Sequence, residues 1–168
     1  VSGLTSASDA LSRIARARSL FLSRGDESGT HTRELQLWKD AGVDPDGSWY
    51  QETGLGMGQT LSLTSEKEGY TLTDRSTFLA MRGQLRLEVA VEGDPGLLNL
   101  YHVMQVNPVK FRKVNAAGAR AWADYLLSPG GQELIGRYGV ERFGRPLFTP
   151  AAGRTEEEVA AAVESAKP

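Results

Sequence analysis

The sequence predicts an α/β fold, and three observations carry that prediction. Short apolar runs alternate with stretches whose apolar residues recur at helical spacing. The 19 glycines gather in the turns between those stretches rather than within them. The apolar runs at 19–23 and 70–73 both end in polar residues that lead into a helical pattern, the arrangement by which open α/β sheets build crevices at their carboxyl ends. The opening helix has no strand before it, and only about four strands are convincing, few for two lobes. The chain therefore reads as part of a larger architecture.

Each element has a local reason. Residues 5–18 place Leu4, Ala7, Leu11, Ile14 and Ala15 on one stripe, with Ser6 set to cap and Asp9 to return the bond. Residues 19–23, SLFLS, form a buried strand that opens at Arg24-Gly25. Ser28 or Thr30 caps a second helix that runs to about Ala41, with Leu35 and Trp38 turned inward and Gly42 stopping it. After turns over 43–58, a third helix starts near Gly56 or Gly58 and carries Met57, Leu61 and Thr64 on one face. Residues 70–73 alternate as a strand, and Asp74 caps a short helix that ends near Met81.

Further along, 85–91 (LRLEVAV) and 101–106 (YHVMQV) read as strands, and 92–96 (EGDPG) breaks the pattern between them as a crossover or hinge. His102 falls in the second of these strands and reads as structural. Residues 115–127 form a helix that turns Ala119, Trp122 and Leu126 to a core, and Pro129 opens a further short helix before Gly136. Residues 146–150 are extended, and 151–168 form a tail, either a weak helix or disordered chain.

Composition narrows the function. Nineteen Lys and Arg against 21 Asp and Glu leave no basic track for nucleic acid. The absence of cysteine excludes disulfides, thiolate metal sites and cysteine nucleophiles. Two distant histidines give no metal signal, so neither metal nor cofactor is expected. No run of 18 apolar residues spans a membrane, and Val1 in place of Met points to a processed or trimmed start.

SRGDESGTH, residues 23–31, concentrates the chemistry. Ser23, Ser28 and Thr30 supply hydroxyls, Gly29 exposes its amide, and Arg24 offers a five-donor fork for oxygen atoms. Thr73, Asp74 and Arg75 repeat the device at the second strand end. Each stretch also reads as a plain helix cap with an arginine beside it, Arg75 pairing with Asp74. The glycines of ETGLGMGQT, residues 52–60, fail the dinucleotide register and lack a Walker lysine. A Ser28/His31 hydrolase or transferase is the enzyme alternative, but Asp26-Glu27-Ser28-Gly29 lacks the nucleophile elbow.

The order of motifs resembles the tungstate-binding, TupA-like subgroup of bacterial periplasmic solute-binding proteins. The likeness runs through residues 5–42, 49–80, 91–108 and 122–139, and SRGDESGTH with YTLTDR carries it most specifically. The resemblance implies a partial type II periplasmic-binding-protein fold: residues 1–95 as the second α/β lobe, and 96–150 as the returning carboxyl-terminal part of the first. Family members carry a long segment ahead of the position of Val1, including a TTTS-type loop.

The implied function is to bind a tetrahedral oxyanion, tungstate or molybdate, in the periplasm or at the extracytoplasmic surface, and to deliver it to an ABC transporter permease. Contact with the membrane would be through that permease alone, no catalysis is implied, and self-association of the chain stays open. The implied ligand contacts are Ser23, Arg24, Ser28, Gly29, Thr30, Thr73, Asp74 and Arg75. An oxyanion-sensing regulatory domain of the same fold is the alternative. Both oxyanions are unprotonated near neutral pH, so a good site presents donors only, and Asp26 and Asp74 are expected to turn away from the ligand.

Overall fold

The computed structural model describes residue 1 and residues 3–165. The chain divides into two compact units, Val1–Leu98 and Asn99–Pro168. In the first, α1 (Ala7–Ala17) begins at Ser6, whose hydroxyl accepts the Asp9 amide, and ends at Arg18 in the left-handed conformation. β1 (Phe21–Ser23) follows and is wholly buried. Next come α2 (Gly29–Asp40), β2 (Tyr50–Glu52), α3 (Met57–Lys67) and α4 (Arg75–Met81).

β1 is the middle of a small parallel arrangement. It pairs with β2 in the register Phe21 to Tyr50, Leu22 to Gln51 and Ser23 to Glu52, and on its other side Phe21 bridges in parallel to Tyr70. Leu22 donates to the Tyr70 carbonyl at 2.8 Å, and Tyr70 donates to Leu20 at 2.8 Å. Successive residues of a strand face opposite sides, so Phe21 and Ser23 look toward α2 while Leu22 looks away. A main core forms on the first side from Ala7, Leu11, Ile14, Phe21, Leu37, Trp38 and Trp49. Its aromatic rings meet edge to face, with Phe21 and Trp38 centroids 5.1 Å apart and Trp38 and Trp49 5.7 Å apart. A smaller cluster joins α3 to α4 through Met57, Leu61 and Phe78.

Two elements of this unit depart from the sequence expectation. Leu35 is 46% exposed. The inward stripe of α2 is instead His31, Glu34, Leu37 and Trp38, so a glutamate stands where a leucine was expected. Residues 85–91 form no strand. Their alternation is real, because Leu85 and Leu87 pack on the Met57–Leu61–Phe78 cluster, but the Arg86 amide goes to the Ser65 hydroxyl of α3 at 2.8 Å rather than to a ladder. The 92–96 break contains a short 3-10 turn, Pro95–Leu97, capped by Asp94, which also accepts the Ala7 amide at the start of α1.

The second unit holds α5 (Ala116–Leu127), α6 (Pro129–Arg137), α7 (Val140–Phe143) and α8 (Glu156–Ser165). Ser128 closes α5 and opens α6, its hydroxyl accepting the Gly131 amide at 3.2 Å and donating to Tyr125 at 2.7 Å. Each helix buries one small residue, Ala123 and Gly131, and Gly131 lies against the Tyr125 and Leu126 backbone of α5. A Cβ at Gly131 would lie 2.1 Å from the Tyr125 carbonyl oxygen. Trp122 therefore does not enter a core. It is 59% exposed and stacks on Tyr125 with centroids 6.0 Å apart.

Residues 101–106 are exposed along their length, His102 included, and form no strand among the described residues. An apolar alternating run becomes a strand only against a partner that takes its amides and carbonyls. Gln132 bridges α6 to the chain beyond residue 150 by donating to Leu126 and accepting the Ala151 and Ala152 amides. The tail is helical as α8, and residues 166–168 of the expected tail lie outside the described residues.

Gly25 ties the fold to the site. It has φ +58, and a Cβ there would lie 2.7 Å from Glu52 Cβ. Left-handed backbone and close approach both oppose a side chain. Gly25→Ala is expected to lower the free energy of unfolding by about 1–3 kcal/mol, measured by urea denaturation.

Candidate functional site

Parallel pairing sends the carboxyl ends of β1, β2 and the 70–72 segment to one edge of the sheet. α2, α3 and α4 each begin just beyond that edge, at Gly29, Met57 and Arg75. Their first turns present free amides and the positive end of the helix dipole to the same side. The loops at this edge are stitched together, Thr53 donating to the Ser23 carbonyl at 2.9 Å and Gly54 to the Arg24 carbonyl at 2.8 Å.

The loop from β1 to α2 carries most of the polar chemistry. Ser28 caps α2, its hydroxyl accepting the His31 amide at 3.3 Å. Gly29 is exposed and Thr30 half-buried at the helix start. The Arg24 guanidinium donates through Nη2 to Asp26 Oδ2, and its side chain is 18% exposed. Asp26 also accepts the Ser28 amide at 3.2 Å. Hydrogen bonds from Ser28, then the contact with Arg24, hold the Asp26 carboxyl below its ordinary pKa. Asp26 is thus turned onto the arginine and the helix cap. Among the described residues, Arg24 Nε and His31 Nε2 are the buried side-chain polar atoms without a hydrogen-bond partner.

Beneath this loop lies a carboxylate that the sequence pattern did not single out. Glu34 is 1% exposed and accepts from Ser23 Oγ at 2.8 Å, Trp38 Nε1 at 3.1 Å and the Tyr50 hydroxyl at 2.9 Å. Burial pushes the Glu34 pKa up, opposed by the bonds from Ser23, Tyr50 and Trp38. Burial and the adjoining carboxylate push the Tyr50 hydroxyl well above its usual value. Ser23 is fully buried; its hydroxyl donates to Glu34 and accepts the Gly25 amide at 3.2 Å. Ser23 therefore anchors the turn from below. A glutamate three residues after His31 and four before Trp38, on an otherwise inward stripe, was the available signal.

The other two corners complete the edge. α3 starts at Gly56 with no side-chain cap, and Thr53 Oγ1 pairs with Thr60 Oγ1 at 3.1 Å while accepting the Leu55 amide. At the third corner Asp74 caps α4, accepting from the Thr77 amide at 2.8 Å and from the Ser76 and Thr77 hydroxyls. Burial raises the Asp74 pKa, but these bonds outweigh it and hold the carboxyl below its ordinary value. Arg75 pairs with Glu92 at 3.1 Å rather than with Asp74. Thr73 is half-buried and its hydroxyl donates to the Asp74 carbonyl at 3.2 Å. No group of three or more His, Cys, Asp or Glu able to hold a metal ion occurs among the described residues.

A parallel edge lined by helix starts, with a half-buried arginine in one loop, is the side of an open α/β sheet on which ligands generally bind. The chain belongs to the PBP superfamily, whose domain matches residues 2–129. Its resemblance within that superfamily is to tungstate-binding proteins. It is 46% identical over 145 residues to the tungstate-binding protein TupA of Peptoclostridium acidaminophilum, covering 86% of this chain and 51% of that protein. The solved TupA structure from Desulfovibrio alaskensis G20 superposes with a TM-score of 0.73 at 39% identity, covering 90% of this chain and 62% of that one. The tungstate ABC transporter structure from Geobacter sulfurreducens gives 0.67 at 40% identity, covering 81% and 58%. The fold is thus α/β, resembling one lobe and part of a second of a type II periplasmic-binding protein. The chain spans about half the length of the curated relatives it matches, 51% and 53% of the two TupA proteins.

Asp74→Ala removes an N-cap and is expected to destabilise the chain by about 0.5–2 kcal/mol. Because the folded pKa is depressed, the contribution is present above the unfolded value and lost as pH falls through the folded one. Wild type and variant unfolded in urea should therefore converge in stability as the solution is acidified.

Proposed function

We propose that this chain binds a tetrahedral oxyanion, tungstate or molybdate, as the ligand-holding part of a periplasmic or extracytoplasmic solute-binding protein that feeds an ABC importer. The observation that carries the reading is Arg24, a half-buried guanidinium with Nε unpartnered, in the loop where α2 begins. An unpaired buried donor is unfavourable without an acceptor, and an oxyanion at this edge supplies one. The names of the TupA relatives support tungstate as that anion.

In this reading Arg24 supplies countercharge and direction, while Ser28, Gly29 and Thr30 set position through the first turn of α2. Thr73 and the start of α4 frame the third corner, their hydroxyls engaged with Asp74. Asp74 and Arg75, whose side chains are engaged with α4 and Glu92, shape that corner rather than grip the ligand. Ser23 holds the turn from below. Tungstate and molybdate share charge and nearly share size, so the site accommodates either. Its donors favour unprotonated dianions, since a ligand P–OH would need an acceptor and the Asp26 carboxylate is already engaged.

The reading is one of binding without catalysis. Ser28 Oγ meets the His31 amide rather than its ring, and His31 Nδ1 accepts from the Glu27 amide, so serine and imidazole form no nucleophile–base pair.

Calorimetric titration with tungstate, molybdate, sulfate and phosphate tests the proposal. Arg24→Ala should weaken tungstate binding about 10- to 100-fold, the equivalent of one charge-assisted hydrogen bond, with an unchanged circular dichroism spectrum. Equal affinity in variant and wild type would remove Arg24 from the site.

A further inference from the structure

His31 is the third residue of α2 and is 8% exposed. Its ring tautomer follows from one contact: the Glu27 amide donates to Nδ1 at 3.1 Å. A backbone amide can only donate, so Nδ1 keeps its lone pair and the neutral ring carries its proton on Nε2. That N–H is buried and has no hydrogen-bond partner among the described residues. The nearest carboxylate oxygen, Glu52 Oε1, is 3.9 Å away on a side chain that is 60% exposed, beyond hydrogen-bond reach.

The direction of the N–H follows from that neighbour. Glu52 ends β2 at the carboxyl edge of the sheet, and its Cβ lies against Gly25. Nε2 therefore faces the edge where Arg24 Nε is also buried without a partner. Glu27 holds the ring there from a left-handed backbone, φ 57, which a non-glycine residue adopts only at a local energetic penalty. The turn that brings its amide to Nδ1 is the feature this strain accompanies. Two unpaired donors at one loop and helix start match an acceptor-rich guest better than either does alone.

We propose that His31 Nε2–H is a direct donor to the bound oxyanion, oriented by the Glu27 amide on the opposite ring nitrogen. This rests on the oxyanion reading above and adds a neutral donor to the charged one of Arg24. Glu52 is the rival acceptor for the same proton.

The test is nitrogen-detected NMR of the imidazoles in the 168-residue chain during titration with sodium tungstate, followed by calorimetry of His31→Phe, His31→Gln and Glu52→Gln. The expected result is a shift of the His31 Nε2 resonance that saturates with the binding isotherm, and slowed exchange of its proton with water. His31→Phe should bind tungstate about 10- to 100-fold more weakly, His31→Gln should recover part of the loss, and Glu52→Gln should retain the shift. If the wild-type chain shows no tungstate binding, the oxyanion reading falls and this inference with it. If the chain binds but the Nε2 resonance stays still, or the shift vanishes in Glu52→Gln, this inference alone is overturned. The wild-type spectrum decides the matter even where His31→Phe fails to fold.

Discussion

The organisation of the first unit depends on one buried carboxylate. Glu34 receives Ser23 from β1, Trp38 from its own helix and Tyr50 from β2, so a single side chain joins the layer of α2 to both strands. A buried carboxylate is tolerated where its lone pairs are met by donors, and removal of the acceptor would strand three polar groups in a core of aromatic rings. The rings of Phe21, Trp38, Trp49 and Tyr50 pack against one another beside it, and Glu34 is buried. The geometry above follows from this node. Ser23, held by Glu34, accepts the Gly25 amide, and Gly25 in turn fits against Glu52. Arg24 therefore leaves a backbone fixed on both sides.

Much of this edge was legible in the sequence because its signals are local. Ser6, Ser28 and Asp74 cap the helices that their spacing announces. Met57, Leu61 and Thr64 bury as their period requires. What escaped depends on partners distant in sequence. Glu34 has its donors on other elements, since Ser23 and Tyr50, which let a carboxylate stay buried, lie on β1 and β2. Arg75 reads as the partner of Asp74, but Glu92, seventeen residues on, takes it because the Asp74 oxygens are filled by Ser76 and Thr77. The strands expected at 85–91 and 101–106 fail for the same reason, since alternation specifies a face but not a neighbour.

Trp122 and Leu35 show a second limit of periodicity. Both lie on helices with a credible inward stripe, and both are exposed. In α5 the buried residue is Ala123, and the close contact with α6 is made by the Tyr125 and Leu126 backbone against Gly131, where there is no room for a larger residue. In α2 the polar pair His31 and Glu34 occupies the inward stripe that a purely apolar pattern would reserve for leucine. Hydrophobic spacing identifies that a helix has a face, whereas the size of the neighbouring residues and the presence of buried acceptors select which face it is.

The acidic residues around the edge give the proposed site its character. The chain carries a net charge of −2, and screening limits long-range fields to roughly 8–10 Å, so local arrangement governs which anions are attracted. Asp26 sits on Arg24, Glu92 on Arg75, and Asp74 on the start of α4. An edge of unpaired cations would attract anions of any shape. With each arginine held by a carboxylate, excess positive charge is small, and what remains are donors in fixed positions: the free edge of the Arg24 guanidinium, the first amides of α2 and α3, and the imidazole N–H. Attraction then depends on a guest placing its oxygens where those donors point. In the oxyanion reading a rigid tetrahedral dianion is the guest that meets this requirement, and the buried Glu34 network below holds the loop from which Arg24 departs.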